Sequence, residues 1–234
     1  KIIKLAKEGG ADAVKFQSYK AEKIACRNSP YYWDLKEVAV KSQYKLFKKF
    51  DKFGYKEFFL LKKYCDKLKI DFLSTPFDLE AVDYLDKLVP FYKVASADLT
   101  NYPLINKICE KNKPIVLSTG ASNQKEIQEV LKFIERKNKK IKVILLHCVL
   151  SYPTENSDAN LGQIKNFKKK FKNKIIGYSD HTLPDENMII LTKAYQNGAQ
   201  VIEKHFTDTK GLKGNDHFHS MNKNDLIKFR KNID

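Results

Sequence analysis

The sequence predicts a parallel α/β fold: a (β/α)8 TIM barrel over residues 1–234 whose first strand lies outside them. Three observations lead there. Short β-branched runs alternate along the chain with helical segments of about ten to fifteen residues. No G-x-G-x-x-G turn follows any strand, which argues against an open dinucleotide-binding sheet. The C-terminal tips of successive strands carry Lys, Ser, Thr and His, the end of a barrel where active sites are built.

The elements follow in order. Lys1 to Gly10 reads as a helix, and in a barrel a strand should precede it. Residues 11–17 form the first visible strand. An insert through Tyr31, Tyr32 and Trp33 leads to a helix around 43–51, and residues 55–68 have apolar positions at helical spacing. Further strands are expected at 71–75, 92–96, 115–119, 143–147, 175–179 and 201–205. Asp78 before Leu79 and Ser122 before Gln124 are candidate helix caps. Lys165 to Lys174 reads as an amphipathic helix, with Phe167 and Phe171 four apart and a basic outer face. No linker or composition break divides the chain, so one domain is expected.

Composition narrows the function classes. The net charge is +16 from 44 basic residues, yet only Arg27, Arg136 and Arg230 are arginine. Nucleic-acid readers rely on arginine for bidentate contacts and stacking. A lysine surplus spread over helix faces instead gives a positive field that attracts anionic substrates. No nucleic-acid partner is expected. The cysteines at 26, 65, 109 and 148 form no C-x-x-C pair and suit buried thiols in a reducing, cytoplasmic compartment. No run of 18 apolar residues suggests a membrane span.

The strand tips carry the chemistry. They read Lys15 and Gln17, Ser74 and Thr75, Lys93 and Ser96, Ser118 and Thr119, His147, Ser179 and His181, then Lys204 and His205. A cationic, hydroxyl-rich set of this kind can hold a phosphate and a carboxylate. Lys15 and Lys93 lie within strands, where a buried lysine needs an anionic partner. All five histidines fall between positions 147 and 219. His181 and His205 sit at neighbouring tips, and two neutral imidazoles there can converge on one divalent ion. His147 reads equally as a packed or a functional group. His217 and His219 alternate and could bind metal, but they read as exposed loop residues without a specific role, and Asp216 as the functional residue of their loop.

In order, Ala11–Gln17, Ser74–Asp78, Lys93–Ser96, Lys113–Gly120, Leu146–Cys148, Tyr152–Thr154, Ser179–Thr182 and Glu203–Phe206 resemble the motifs of the bacterial sialic acid synthases. That group includes the N-acetylneuraminate, legionaminate and pseudaminate synthases. The resemblance implies a condensation of phosphoenolpyruvate with an N-acylated mannosamine-type sugar. The products would be a nine-carbon 2-keto acid and phosphate, formed with C–O cleavage. It implies a divalent metal on His181 and His205, manganese by preference, with magnesium or cobalt as alternatives. Lys15, Ser96, Ser118 and Ser179 would contact the phosphate and Lys93 the carboxylate. Gln17, Thr75, Tyr152 and Asp216 would line the path to metal and sugar. Lys15, Gln17, Asp98 and Asp216 are the candidates for catalytic roles. The resemblance also implies a cytoplasmic homodimer.

Three differences accompany the resemblance. The family opens on a strand with a catalytic glutamate and closes with an antifreeze-like domain, and both are expected to lie outside these residues. Asp98 stands where the family usually has glutamate. Val149-Leu150 replaces a polar pair after the His-Cys dipeptide. Two rival readings remain: a related keto-acid sugar synthase or aldolase, and a non-catalytic sugar- or phosphate-binding relative.

Overall fold

The structure is a computed structural model that describes residues 1–234 except 34, 37 and 215. Two parallel strands open it, β1 (Ala13–Ser18) and β2 (Asp71–Pro76), with Lys15 beside Leu73 and Gln17 beside Thr75. Five more form a parallel sheet in chain order: β3 (Tyr92–Val94), β4 (Ile115–Ser118), β5 (Val143–Cys148), β6 (Ile175–Asp180) and β7 (Val201–Lys204). Strand β2 packs beside β3. The series curls until its two ends face each other: Lys15 Nζ on β1 reaches within 3.9 Å of Glu203 Oε1 on β7.

The helices are α1 (Ile2–Glu8), α2 (Ala21–Ile24), α3 (Gln43–Phe50), α4 (Tyr55–Leu68), α5 (Leu79–Leu85), α6 (Tyr102–Cys109), α7 (Gln124–Lys137), α8 (Gly162–Lys170), α9 (Ile189–Gln196) and α10 (Lys223–Ile233). Among the described residues, no helix is long and apolar enough to cross a membrane.

Alternation along each strand sorts the side chains into two sets. Tyr92, Val94, Ile115, Leu117, Leu145, Ile176 and Tyr178 are buried in the layer shared with the helices. Each such side chain stabilises the fold by about 1.5–3 kcal/mol. Tyr92 brings a hydroxyl into that layer and donates it to the Val82 carbonyl of α5 at 2.8 Å. The other set, Lys93, Ser118, Ser179 and Glu203, faces the barrel interior and is joined there by hydrogen bonds and ion pairs. Gly177 lies in that inner set. A Cβ there would come within 2.4 Å of the Val201 carbonyl oxygen and 2.5 Å of Leu146 Cδ2, so only glycine lets β6 and β7 pair closely.

Several boundaries differ from the sequence reading. Strand β3 stops at Val94 because Ser96–Asp98 turn into a 3-10 helix that carries the chain toward α6. The cap of α7 is Asn123, not Ser122: its side chain accepts from Lys125 N and Glu126 N, and Glu126 returns a bond to Asn123 N. Helix α8 ends at Lys170 rather than running to Lys174, with Phe171 already outside helical geometry. Asp78 caps α5 as expected, accepting from Ala81 N at 2.8 Å.

Candidate functional site

Two polar clusters meet at the C-terminal mouth of the strands. The first surrounds Glu203. Lys93 Nζ lies 3.7 Å and Lys15 Nζ 3.9 Å from Glu203 Oε1, and Ser179 Oγ donates to the same oxygen at 3.0 Å. Lys93 also donates to Ser118 Oγ at 2.7 Å and to the Val94 carbonyl at 3.1 Å. Three strands thus bring Lys15, Lys93 and Ser179 to one carboxylate, and a fourth brings Ser118 to Lys93. Burial opposes the charge on Lys93 and lowers its pKa, while Glu203 works against that shift. Burial would raise the Glu203 carboxyl, but the two lysine charges and the serine prevail and hold it at about 2.

Ser96 borders this cluster. Its Oγ lies 3.0 Å from Cys148 Sγ and accepts from Gly120 N at 3.0 Å. Cys148 is the ladder partner of Ser179. A Cβ at Gly120 would stand 2.5 Å from Cys148 Sγ and 3.2 Å from Ser96 Oγ, so the bare backbone keeps this end of the mouth open. Thr75 is buried beside Gln17, which is exposed. Asp98 is half-buried, and its carboxylate accepts from Asn101 Nδ2 at 3.0 Å, on the cap of α6. Burial raises its pKa, partly offset by that bond.

The second cluster is imidazole-rich. The rings of His181 and His205 are 5.5 Å apart between centroids. Tyr152 packs 4.2 Å from His181 and 6.2 Å from His205. His181 Nδ1 lies 3.0 Å from the Val149 carbonyl, which can only accept, so the neutral ring carries its proton there and leaves Nε2 as a lone pair. Burial lowers the pKa of His181. Burial, with the neighbouring His181 and Lys15, takes His205 down to about 3. Both rings are neutral near pH 7, the form that binds metal.

The Ser-Asp-His-Thr sequence has a physical reason at each position. Ser179 faces Glu203, and Asp180 points the opposite way. Its Oδ1 accepts from Tyr178 Oη at 2.9 Å and Thr182 N at 3.1 Å; its Oδ2 accepts from Thr182 Oγ1 at 3.0 Å and Lys204 Nζ at 2.5 Å. The turn carrying His181 is thereby locked. A second tie runs from Thr154 N to the His181 carbonyl at 2.9 Å, which holds the Tyr152 loop over it.

Some expectations are corrected. Lys204 faces away from the mouth, because it alternates with Glu203, and it is buried against Asp180. Ser74 bonds Ser18 at 2.6 Å instead of facing the cluster. His147 is a packed residue: its Nε2 meets the Ala159 carbonyl at 2.9 Å and its ring stacks on Tyr178. His217 is half-buried and anchored, with Nδ1 2.8 Å from Thr207 Oγ1. His219 departs furthest from its expectation as an exposed residue: it is fully buried, 5.0 Å from the His205 ring. Asp216, 59% exposed, lies 3.9 Å from His205 Nδ1.

The NeuB family profile matches residues 2–234. The N,N'-diacetyllegionaminic acid synthase of Campylobacter jejuni is 41% identical over 97% of this chain and 67% of its own length. An uncharacterized protein of Methanocaldococcus jannaschii is 43% identical over 99% of this chain and 64% of its own. This chain therefore spans about two thirds of these relatives. Among solved structures, the N-acetylneuraminic acid synthetase of Leptospira borgpetersenii superposes with a TM-score of 0.87 at 35% identity, over 99% of this chain and 75% of its own.

Proposed function

The chain belongs to the NeuB family, and from that premise we propose that it condenses phosphoenolpyruvate with an N-acylated mannosamine-type sugar. One observation carries the reading: two lysines from β1 and β3 converge on a single carboxylate beside a pair of neutral histidines. An anionic three-carbon substrate fits the lysine side, and a sugar carbonyl fits the histidine side.

In this reading Lys15, Ser96, Ser118 and Ser179 bind the phosphate, and Lys93 binds the carboxylate. Charge-assisted bonds of this kind hold the enol carbon in register with the sugar aldehyde. The enol carbon bonds to the aldehyde carbon, water adds to the carbon that carried the phosphate, and its C–O bond breaks to release phosphate. The His181 and His205 lone pairs fit a divalent ion, manganese first, with magnesium or cobalt as substitutes. When bound, that ion supplies Lewis-acid polarisation of the sugar carbonyl. Tyr152, Gln17, Thr75, Asp98 and Asp216 shape the sugar side. The product is a nine-carbon 2-keto acid, and the working form is a cytoplasmic homodimer.

The test is phosphate release from phosphoenolpyruvate, with manganese present, against a panel of N-acetylmannosamine and 2,4-diacetamido sugars. Release that depends on one sugar is the expected result. Binding of phosphoenolpyruvate without release, whatever the sugar, would overturn the reading in favour of a non-catalytic binding protein.

A further inference from the structure

We propose that His219 and Asp216 join His205 on the divalent ion, so that this chain holds its metal with more protein ligands than the His181–His205 pair. The inference rests on the metal site of the proposed function and deepens it. Its basis is the state of His219. The side chain is fully buried, and neither Nδ1 nor Nε2 has a hydrogen-bond partner. A buried polar group without a partner costs about 1–3 kcal/mol. Among the described residues, these are the buried side-chain polar atoms left in that condition. A cation placed against one nitrogen removes that cost there.

The neighbours supply the remaining donors. One ligand atom each from His205, Asp216 and His219 lies within 4.8 Å of the other two. Asp216 stands between the rings, 3.9 Å from His205 Nδ1 and 4.0 Å from His219 Nε2. An ion with bonds of about 2.0–2.2 Å spans ligand pairs roughly 3–4 Å apart, so modest side-chain rotations close the set. The backbone prepares the approach. Met221 N donates to the His205 carbonyl at 2.9 Å, and Thr207 N to the Met221 carbonyl at 2.8 Å. This short parallel bridge brings residues 216–219 back onto the tip of β7. Ser220 Oγ bonds the Asp216 carbonyl, closing a turn that puts Asp216 and His219 on one side.

The consequence is affinity and selectivity. The added imidazole donor favours cobalt and zinc over magnesium. The experiment compares wild type, His219→Ala and His181→Ala by manganese titration, followed by the free-ion EPR signal, and by the visible absorption of bound cobalt. His219→Ala is expected to bind manganese about tenfold or more weakly and to change the cobalt spectrum. Its circular dichroism should remain that of wild type, because the change removes unpaired nitrogens. A second measurement needs no variant: in 15N-labelled wild type, zinc should shift a ring nitrogen of His219. Unchanged manganese affinity and cobalt spectrum in His219→Ala, with His181→Ala impaired, would overturn this inference alone. A wild type that binds no manganese would overturn the metal site itself. An unshifted His219 nitrogen under saturating zinc would overturn the inference even if the alanine variant failed to fold.

Discussion

Strands β6 and β7 carry two lysine–carboxylate arrangements, one on each face. On the outer face Asp180 and Lys204 meet at 2.5 Å, each with a side chain 1% exposed. Both carboxylate oxygens are engaged, by four donors, and Lys204 also bonds the Thr182 carbonyl. On the inner face Glu203 sits 3.7 and 3.9 Å from Lys93 and Lys15, with its side chain 25% exposed and one short bond, from Ser179. The residues are sequence neighbours and ladder partners: Ser179 pairs with Glu203, and Asp180 with Lys204. The closed pair has its donors and acceptors matched and acts as structure. The loose trio has charge left to offer an incoming anion.

The largest expected effect tests the closed pair. Lys204→Met leaves Asp180 charged, buried and short of its cation. Breaking a buried pair in this way costs about 3–5 kcal/mol, and urea denaturation should show that loss. A cost under about 1 kcal/mol would mean that the outer pair is no more structural than the inner one.

The next effects test the loose trio. Lys15→Met removes one charge from the anion pocket and is expected to weaken phosphoenolpyruvate binding by about 1.5–3 kcal/mol, with little change for the sugar. Calorimetric titration with each substrate decides it, and equal losses would make Lys15 structural. Glu203→Gln should act in the opposite direction. Removing the carboxylate leaves two lysines facing open space, and inorganic phosphate should bind more tightly, by on the order of 1 kcal/mol. Weaker phosphate binding in that variant would show that Glu203 positions the lysines rather than competing with the ligand.

This division was partly legible in the sequence. Period-2 alternation and polar strand tips identify the barrel and place Lys15, Lys93, Ser118 and Ser179 on one mouth. The need of a buried lysine for an anion was also legible, but the anion's identity was not, since Glu203 lies 110 residues beyond Lys93. Strict alternation puts Glu203 and Lys204 on opposite faces, a distinction that a list of polar tip residues does not carry. His219 was out of reach for another reason. Its burial depends on the bridge between Phe206 and Met221, a tertiary pairing that no local pattern announces. The expected α7 cap, Ser122, is displaced by its neighbour Asn123, and propensity does not separate those two.

The smallest expected effect concerns a third kind of buried group on the same layer, a neutral one. His147 packs between Tyr178 and Phe167 and donates to the Ala159 carbonyl. Burial lowers its pKa from 6.5, with the backbone bonds opposing the shift. The unfolded chain therefore binds a proton at pH values where the folded chain does not. Stability from this group is present above about pH 6.5 and falls as pH drops toward the lowered folded value. Between pH 8 and pH 6 the loss can reach at most about 0.8 kcal/mol for this one histidine, the full cost of its unfolded-state proton uptake. Other buried histidines add slopes of the same sign, so the measurement is a difference. His147→Gln keeps an N–H for Ala159 and cannot titrate, and its stability, followed by urea denaturation at each pH, should fall less than that of wild type by up to that amount. Parallel profiles would mean that His147 takes up its proton in the folded state as readily as in the unfolded one. The outer layer of β5 and β6 would then tolerate charge at a position where the contacts are all neutral.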